Sequence, residues 1–233
     1  MKALPLILCS VLLHATAFAG DDEVPVMAAD SGSKEVDRWV TELVSLRPAP
    51  VPHMGAKVPD EVANKLGGVS VGGPYATERV KNALPKLEEM GPAAFPFLAK
   101  HVDDDRYCFT ERPLSGISND SWNNCSVGEA VYRVIAMGLS FAGGYKFREG
   151  PDGKGFAPLG IGDYIEAQDG LEAWATTVAK KSKAEVAREV IEWCIEEEKK
   201  RGFASKEDEA KLIERYRSQL DEYRETAPSK PDK

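Results

Sequence analysis

Several stretches of the chain carry apolar residues at every third or fourth position, which is the spacing of an amphipathic helix. The first begins behind Ser33 and stops before Pro48. The last two lie between Ser182 and Arg224, and Gly202 separates them. We therefore predict a mainly α-helical fold of stacked helical hairpins, in which the last two helices pair. The side chains predicted to hold that pair are Val190, Trp193, Ile213, Tyr216 and Leu220.

Capping residues predict where the other helices begin and end. A helix runs from Thr77 to Gly91 with a kink at Pro85, and Pro92 opens the next one, where a missing N–H costs nothing. A Ser or Asp followed three residues later by Glu predicts three more helix starts. These pairs are Ser126 with Glu129, Asp169 with Glu172, and Ser182 with Glu185.

Proline and glycine mark the segments between the helices. Residues 47–76 are rich in both and predict a surface loop. The segment 145–159 places Pro-Asp-Gly between two short aromatic-bearing runs, which predicts a small β-hairpin as the only β element. The helical domain should span residues 33–225, between a flexible leader at 20–32 and a disordered tail at 226–233.

The first 19 residues have the layout of a secretory signal peptide. Lys2 is followed by an apolar run from Leu4 to Leu13 and by the small-x-small site Ala17-Phe18-Ala19. That run is shorter than the roughly 20 residues that span a bilayer. We therefore expect cleavage near Ala19 and a soluble protein, secreted or periplasmic, that does not enter a membrane after cleavage.

Net charge excludes one class of partner. The chain carries 38 acidic and 30 basic residues, a formal charge of −8, and no basic stripe. Nucleic-acid binding proteins need clustered Lys and Arg to neutralise phosphates, so no nucleic-acid partner is expected.

Three cysteines remain beyond the predicted signal peptide, at Cys108, Cys125 and Cys194. Exported proteins meet an oxidising compartment, which favours a disulfide. Cys108 and Cys125 flank a polar loop, whereas Cys194 lies in a helical pattern. We predict a Cys108–Cys125 disulfide and a buried free thiol at Cys194, with a Cys125–Cys194 bond or no bond as the alternatives.

The stretch "ALPKLEEMGPAAFPFLAKHVDDDRY" resembles the helix-turn-helix unit of HEAT-like repeat proteins. In that unit one helix ends at a Gly, a Gly-Pro-Ala-Ala turn opens the next, and an Asp-Asp pair closes it. The resemblance covers about one repeat, and no second copy follows at a solenoid period. More loosely, residues 90–203 resemble exported bacterial proteins with one such unit. The resemblance implies a helical surface that binds another protein.

Two groups of residues have the residue types of a catalytic or metal site. Ser70 lies in "GVSVG", which fits a hydrolase nucleophile elbow but lacks the preceding strand, and His101 is the only histidine downstream. His101, Asp103, Asp104, Asp105 and Cys108 offer metal-ligand types, yet their spacing fits neither calcium nor zinc. We expect the aspartates to lie in a turn just past a helix, where they are solvated or accept loop N–H bonds.

Trp122 stands apart because it lies in a polar loop beside Asn123 and Asn124. It either anchors a partner or folds back over its own loop. We expect no catalytic residue, cofactor or metal, and a protein partner. The expected function is a non-enzymatic exported interaction module; the alternatives are an immunity or inhibitor protein that blocks an enzyme with the Cys108–Cys125 loop, and a serine hydrolase using Ser70.

Overall fold

The chain is mainly helical, as the sequence predicts. A computed structural model describes residues 27–46, 49, 74–111, 123–137, 139 and 148–225. The α-helices in these ranges are α1 (Lys34–Glu42), α2 (Glu78–Met90), α3 (Phe95–Leu98), α4 (Val127–Ala136), α5 (Ile161–Glu166), α6 (Leu171–Val178), α7 (Lys183–Arg201) and α8 (Lys206–Glu225). The strands are β1 (Pro74–Tyr75), β2 (Tyr107–Glu111), β3 (Asn123–Ser126), β4 (Arg148–Glu149) and β5 (Gly155–Phe156).

Most of the predicted helix starts are confirmed. The Ser33 hydroxyl accepts the Val36 N–H at the start of α1, and reciprocal capping boxes join Ser126 to Glu129 and Ser182 to Glu185. These side chains satisfy N–H groups that the first turn of a helix leaves without a partner. Helix starts in this chain are therefore determined locally.

The predicted start at Asp169 is wrong. Helix α6 begins after Gly170, and both Asp169 and Gly170 have positive φ, at 61° and 93°. The Gly170 N–H donates to the Ile165 carbonyl, so these two residues form the turn that ends α5. Asp tolerates the left-handed conformation, which allows it to end one helix instead of capping the next.

The segment resembling a HEAT unit begins as predicted and then departs from a regular helix. Thr77 caps α2, and Gly91 ends it at φ 63°. After Gly91 the chain forms two 3-10 turns, Gly91–Ala94 and Ala99–His101, on either side of the four-residue α3. Pro92 and Pro96 lack the N–H groups that a continuous α-helix needs, which accounts for the break. Phe95 of α3 stacks on Trp174 of α6 with ring centroids 5.7 Å apart.

Two antiparallel sheets are present among the described residues. The β4–β5 hairpin confirms the prediction at 145–159. The second sheet, ordered β1-β2-β3, was not predicted, so the expectation of a single β element is wrong. Asn and Ser have low strand propensity, and β3 reads Asn-Asn-Cys-Ser, so the pairing with β2 overrides the local preference.

Helices α7 and α8 pack together as a helical hairpin. Four of the five predicted contact residues are buried: Val190, Ile213, Tyr216 and Leu220. The fifth, Trp193, is only partly buried, and its ring lies 5.4 Å from that of Tyr164 on α5. Trp193 is therefore not fully buried, and it has an aromatic neighbour outside the hairpin.

The residues just before α1 are anchored to the domain. The Ala28 N–H donates to the Thr41 hydroxyl at 2.9 Å, and Ser31 is buried. The end of the segment expected as a flexible leader is therefore fixed from Met27 onward, while residues 20–26 and the predicted signal peptide lie outside the described ranges. Within the part of the chain that the structure describes, no helix is long and apolar enough to cross a membrane.

Candidate functional site

A pair of buried thiols lies in the β2–β3 ladder. Tyr107 pairs with Ser126 and Phe109 with Cys125, so Cys108 is the extra residue of a β-bulge. Both Cys108 and Cys125 are buried. The structure has free thiols at both positions, so the predicted disulfide is not present in it. Cys108 directly precedes Phe109, the residue that pairs with Cys125, so the two cysteines lie close together in the ladder.

Arg133 of α4 connects this thiol pair to the protein surface. Its guanidinium makes two hydrogen bonds to the Glu111 carboxylate, at 2.7 and 2.6 Å, and lies 5.4 Å from the centre of the Phe109 ring. Nη2 of Arg133 also donates to Cys125 Sγ at 3.3 Å. Arg133 can reach the sheet because Ser126 is both the last residue of β3 and the cap of α4. Strand and helix therefore meet without a loop between them.

The pKa values of the thiols follow from burial. Burial raises the pKa of Cys125 to about 12, while the Arg133 cation acts in the opposite direction. Burial also raises the pKa of Cys108, and the adjacent Cys125 adds to the rise. Hydrogen bonding to Glu111 raises the pKa of Arg133, which remains charged. Both thiols are therefore protonated at neutral pH while the site is closed.

An open groove of about 320 Å³ lies beside Arg133. It is lined by Val102, Gly128, Glu129, Tyr132 and Arg133. The Arg133 side chain is 49% exposed, and its guanidinium is hydrogen-bonded to the buried Cys125. The groove, the cation and the thiol pair together form the candidate site.

Two of the three residues predicted to bind a partner, Asn123 and Asn124, lie at the far end of the same two strands. Asn123 pairs with Glu111 and Asn124 with Thr110. The Thr110 hydroxyl donates to the Asn124 side chain at 2.8 Å, so that amide is used within the sheet. Trp122 lies outside the described residues, as do the other residues of 112–122.

His101 belongs to a separate buried cluster that sequence reasoning missed. Its Nε2 lies 3.1 Å from Oδ1 of Asp37, and the same carboxylate accepts the Ser31 backbone N–H. Ser31, Asp37 and His101 are all buried. The carboxylate stands between the serine and the histidine, whereas a hydrolase needs the histidine next to the serine hydroxyl. This cluster ties the segment before α1 to the helical core.

A signal for Asp37 was present in the sequence. Asp37 and Thr41 are four residues apart in α1, so they share a helix face, and both are buried. Buried polar side chains in one stripe need partners from elsewhere in the fold. No comparable pattern marks Glu111 or Arg133, because their meeting depends on the sheet register.

The aspartate run forms a turn. Asp104 accepts hydrogen bonds from the Arg106 backbone N–H at 3.2 Å and from its Nη2 at 2.5 Å. Asp103 and Asp105 are exposed. The placement of the run just past a helical segment, with Asp104 accepting a loop N–H bond, agrees with the turn predicted from the sequence. Over the described ranges, no group of three or more His, Cys, Asp or Glu side chains is arranged to hold a metal ion.

Ser70 and its glycines also lie outside the described residues, so the structure does not place them relative to His101. Cys194, the third thiol, is buried in α7, and burial raises its pKa to about 12. No protein-family model matches the chain, no curated protein is significantly similar to it, and no solved structure matches it significantly.

Proposed function

We propose that the protein is a non-enzymatic, exported interaction module that presents the far end of the β2–β3 pair to a protein partner. The observation that carries this proposal is the fixed base of that pair. Glu111 pairs with Asn123 across the ladder and is held by both outer nitrogens of Arg133. A fixed base lowers the entropy cost of ordering the residues beyond it when a partner binds.

The chemistry around that base supports binding more than catalysis. The polar side chains of the strands are engaged with one another: Tyr107 with Thr110 at 2.7 Å, and Thr110 with Asn124 at 2.8 Å. His101 is buried against Asp37. A general base must reach the proton of a substrate, and these groups are occupied or enclosed. The part of the chain between the strands carries Trp122, an aromatic type that dominates interface energetics.

A binding experiment tests the interaction proposal. The purified chain is immobilised and exposed to an extract of the exported fraction, and a captured protein is then purified and titrated. Trp122→Ala should weaken its binding at least about tenfold, since buried aromatic anchors contribute 2 kcal/mol or more. Phe156→Ala is the matched control, because Phe156 is an exposed aromatic on the β4–β5 hairpin, which is a separate sheet. Equal binding by all three proteins would contradict the proposal. If the captured protein is an enzyme and the chain inhibits it, the chain is an immunity or inhibitor protein.

Export is the second element of the proposal. It is supported by the sequence Lys2 to Ala19, which has the charged, apolar and small-residue regions of a signal peptide. Expression of the full chain followed by fractionation and N-terminal sequencing should give a mature protein that starts at Gly20. An intact N-terminus in the cytoplasm would overturn this element.

The third element is a Cys108–Cys125 disulfide formed after export. It is supported by the adjacency of the two thiols at the bulge and by the oxidising compartment. Closing a loop of this length should stabilise the fold by about 3 kcal/mol in the chain-entropy model. Peptide mapping without reductant should give a cross-linked peptide joining Cys108 to Cys125, with Cys194 free to be alkylated after unfolding. Free thiols at all three positions would argue against the bond and against export.

The fourth element is a single HEAT-like unit. It is supported by the Thr77 cap, the Gly91 stop and the Pro92 start of the following turn. The apolar residues after that turn face the rest of the fold, where Phe95 and Leu98 are buried. An experimental structure in which α2 and residues 91–101 do not form one antiparallel unit would remove this element.

A further inference from the structure

We propose that the thiol pair is a thiol–disulfide exchange site in which Cys125 attacks first, Arg133 positions and activates its sulfur, and Cys108 completes the bond. This inference rests on the proposed disulfide and adds the order and the substrate class of the reaction. The substrate is a disulfide that enters from the groove beside Arg133.

The geometry distinguishes the two sulfurs. Cys125 Sγ receives a hydrogen bond from Nη2 of Arg133 at 3.3 Å, and β3 is an edge strand of its sheet. Cys108 lies on the central strand β2, at the bulge. A cation beside a sulfur favours the thiolate, which is the attacking species in exchange. Cys125 is therefore the thiol that is both closer to the cation and closer to the edge of the sheet.

Access to Cys125 is controlled by one ion pair. The residue is 3% exposed, and Arg133, which lines the groove, is hydrogen-bonded to both Glu111 and Cys125. Partly exposed ion pairs contribute little to stability, so this pair can open while the ladder pairing of Glu111 with Asn123 keeps the base of the two strands in place. Opening moves the Glu111 carboxylate away from Cys125. Because the negative charge of that carboxylate disfavours a Cys125 thiolate, its removal makes the thiolate more favourable. The guanidinium remains on the same helix as a mobile cation for the sulfur.

The reaction balances without a further reagent. The Cys125 thiolate attacks one sulfur of the external disulfide, forming a mixed disulfide and releasing the first thiolate, which takes up a proton. The Cys108 thiolate then attacks Cys125 Sγ, forming the Cys108–Cys125 bond and releasing the second thiolate, which is also protonated. Two protein thiols are oxidised and one external disulfide is reduced to two thiols.

Arg133 carries the decisive test, with oxidised glutathione as the probe. In a Cys108→Ser background, a mixed disulfide should accumulate at Cys125 and be located by peptide mapping. The proteins with Arg133 and with Arg133→Gln are compared in a Glu111→Gln background, in which the ion pair is absent and access to Cys125 is equal. There Arg133→Gln should slow formation of the mixed disulfide about threefold or more and move the pH midpoint of the rate upward, since thiolate is lost faster than nucleophilicity is gained. Arg133→Lys should restore most of the rate. Arg79→Gln is the matched control, because Arg79 makes an ion pair with Glu42 elsewhere on the surface. An unchanged or faster reaction of Arg133→Gln would overturn the role of Arg133.

The order of attack is tested in the wild-type protein, which avoids any variant that fails to fold. Rapid quenching with acid during oxidation should find the first glutathione on Cys125, at least about tenfold ahead of Cys108 and Cys194, as expected for the thiol beside a cation. Equal occupancy of Cys108 and Cys125 would overturn the proposed order. If glutathione reaches Cys125 but no Cys108–Cys125 bond follows, the proposed disulfide fails while the assignment of the attacking thiol stands.

Discussion

The α7–α8 hairpin and the centre of the molecule, from His101 to the start of α4, are stabilised in different ways. In the hairpin, apolar side chains from two amphipathic helices meet, and the largest fully buried one is that of Tyr216. In the centre, direct contacts between backbones add to the side-chain packing. The Val127 N–H donates to the Arg106 carbonyl and the Gly128 N–H to the Asp104 carbonyl, each at 2.8 Å.

This difference predicts how each region responds to substitution. A side-chain interface can repack around a change, so its cost grows gradually with the volume that is lost or gained. Two backbones in hydrogen-bond contact leave no space for repacking. The centre should therefore be sensitive to a single added methyl group, and the hairpin should not.

The largest effect is expected at Gly128, and it tests the comparison directly. A Cβ at this position would lie 2.1 Å from the Val102 carbonyl oxygen. Because that atom is backbone, Gly128→Ala should lower the free energy of unfolding by more than about 3 kcal/mol. Denaturant titration of both proteins measures the change.

The control is Gly162→Ala in α5, where the nearest atom to an added Cβ is the Tyr132 hydroxyl oxygen at 3.3 Å. That atom ends a flexible side chain, and alanine is favoured over glycine within a helix by about 0.5–1 kcal/mol. Gly162→Ala should therefore leave stability nearly unchanged. Similar losses in the two variants would mean that backbone contact does not distinguish the centre.

A smaller effect is expected at a polar bond that joins the hairpin to the residue two positions before α5. The Tyr216 hydroxyl donates to the Leu159 carbonyl at 2.8 Å, and the Leu159 N–H donates to the buried Glu198 carboxylate at 2.7 Å. Tyr216→Phe keeps the ring packing but removes the donor to a buried carbonyl. It should cost about 1–2 kcal/mol, which thermal or denaturant unfolding can measure.

Tyr164→Phe is the matched control for this change, since Tyr164 is only partly buried and its ring contact with Trp193 survives. A loss at Tyr216 as large as that of Gly128→Ala would show that polar bonds, and not backbone contacts alone, limit tolerance. The hairpin and the centre would then not differ in their sensitivity to substitution.

The same difference explains which parts of the fold could be predicted from the sequence. The helix starts at Ser33, Ser126 and Ser182 depend on residues three positions apart, so local pattern is sufficient. The hairpin at 145–159 also has a local cause, in its Pro-Asp-Gly turn. The α7–α8 pair follows from two apolar faces and the stop at Gly202.

The centre could not be predicted in this way. The pairing of β2 with β3 joins residues on either side of an eleven-residue gap in the described chain, from 112 to 122, and β3 has a sequence that disfavours strands. The contact between Arg133 and Cys125 needs that register and the direct passage from β3 into α4. The cysteines could be singled out from the sequence, but the cation beside one of them could not.

The smallest effect is expected from acid at Asp37, which joins the segment before α1 to His101. Burial raises the pKa of this carboxyl, but hydrogen bonds from Ser31 and His101 more than offset it, so the pKa lies below its ordinary value of 3.8. A depressed pKa means that the unfolded chain binds the proton more readily. The stability that this carboxylate contributes is therefore present above pH 3.8 and is lost as pH falls through the pKa of the folded state.

Asp37→Asn should be less stable than wild type at neutral pH, and its stability should depend less on pH in acid. Urea titrations across the acid range measure both. Asp103→Asn is the control, because it removes the same charge from an exposed position. Parallel profiles for wild type and Asp37→Asn would show that the buried carboxylate does not anchor the segment before α1 through its charge.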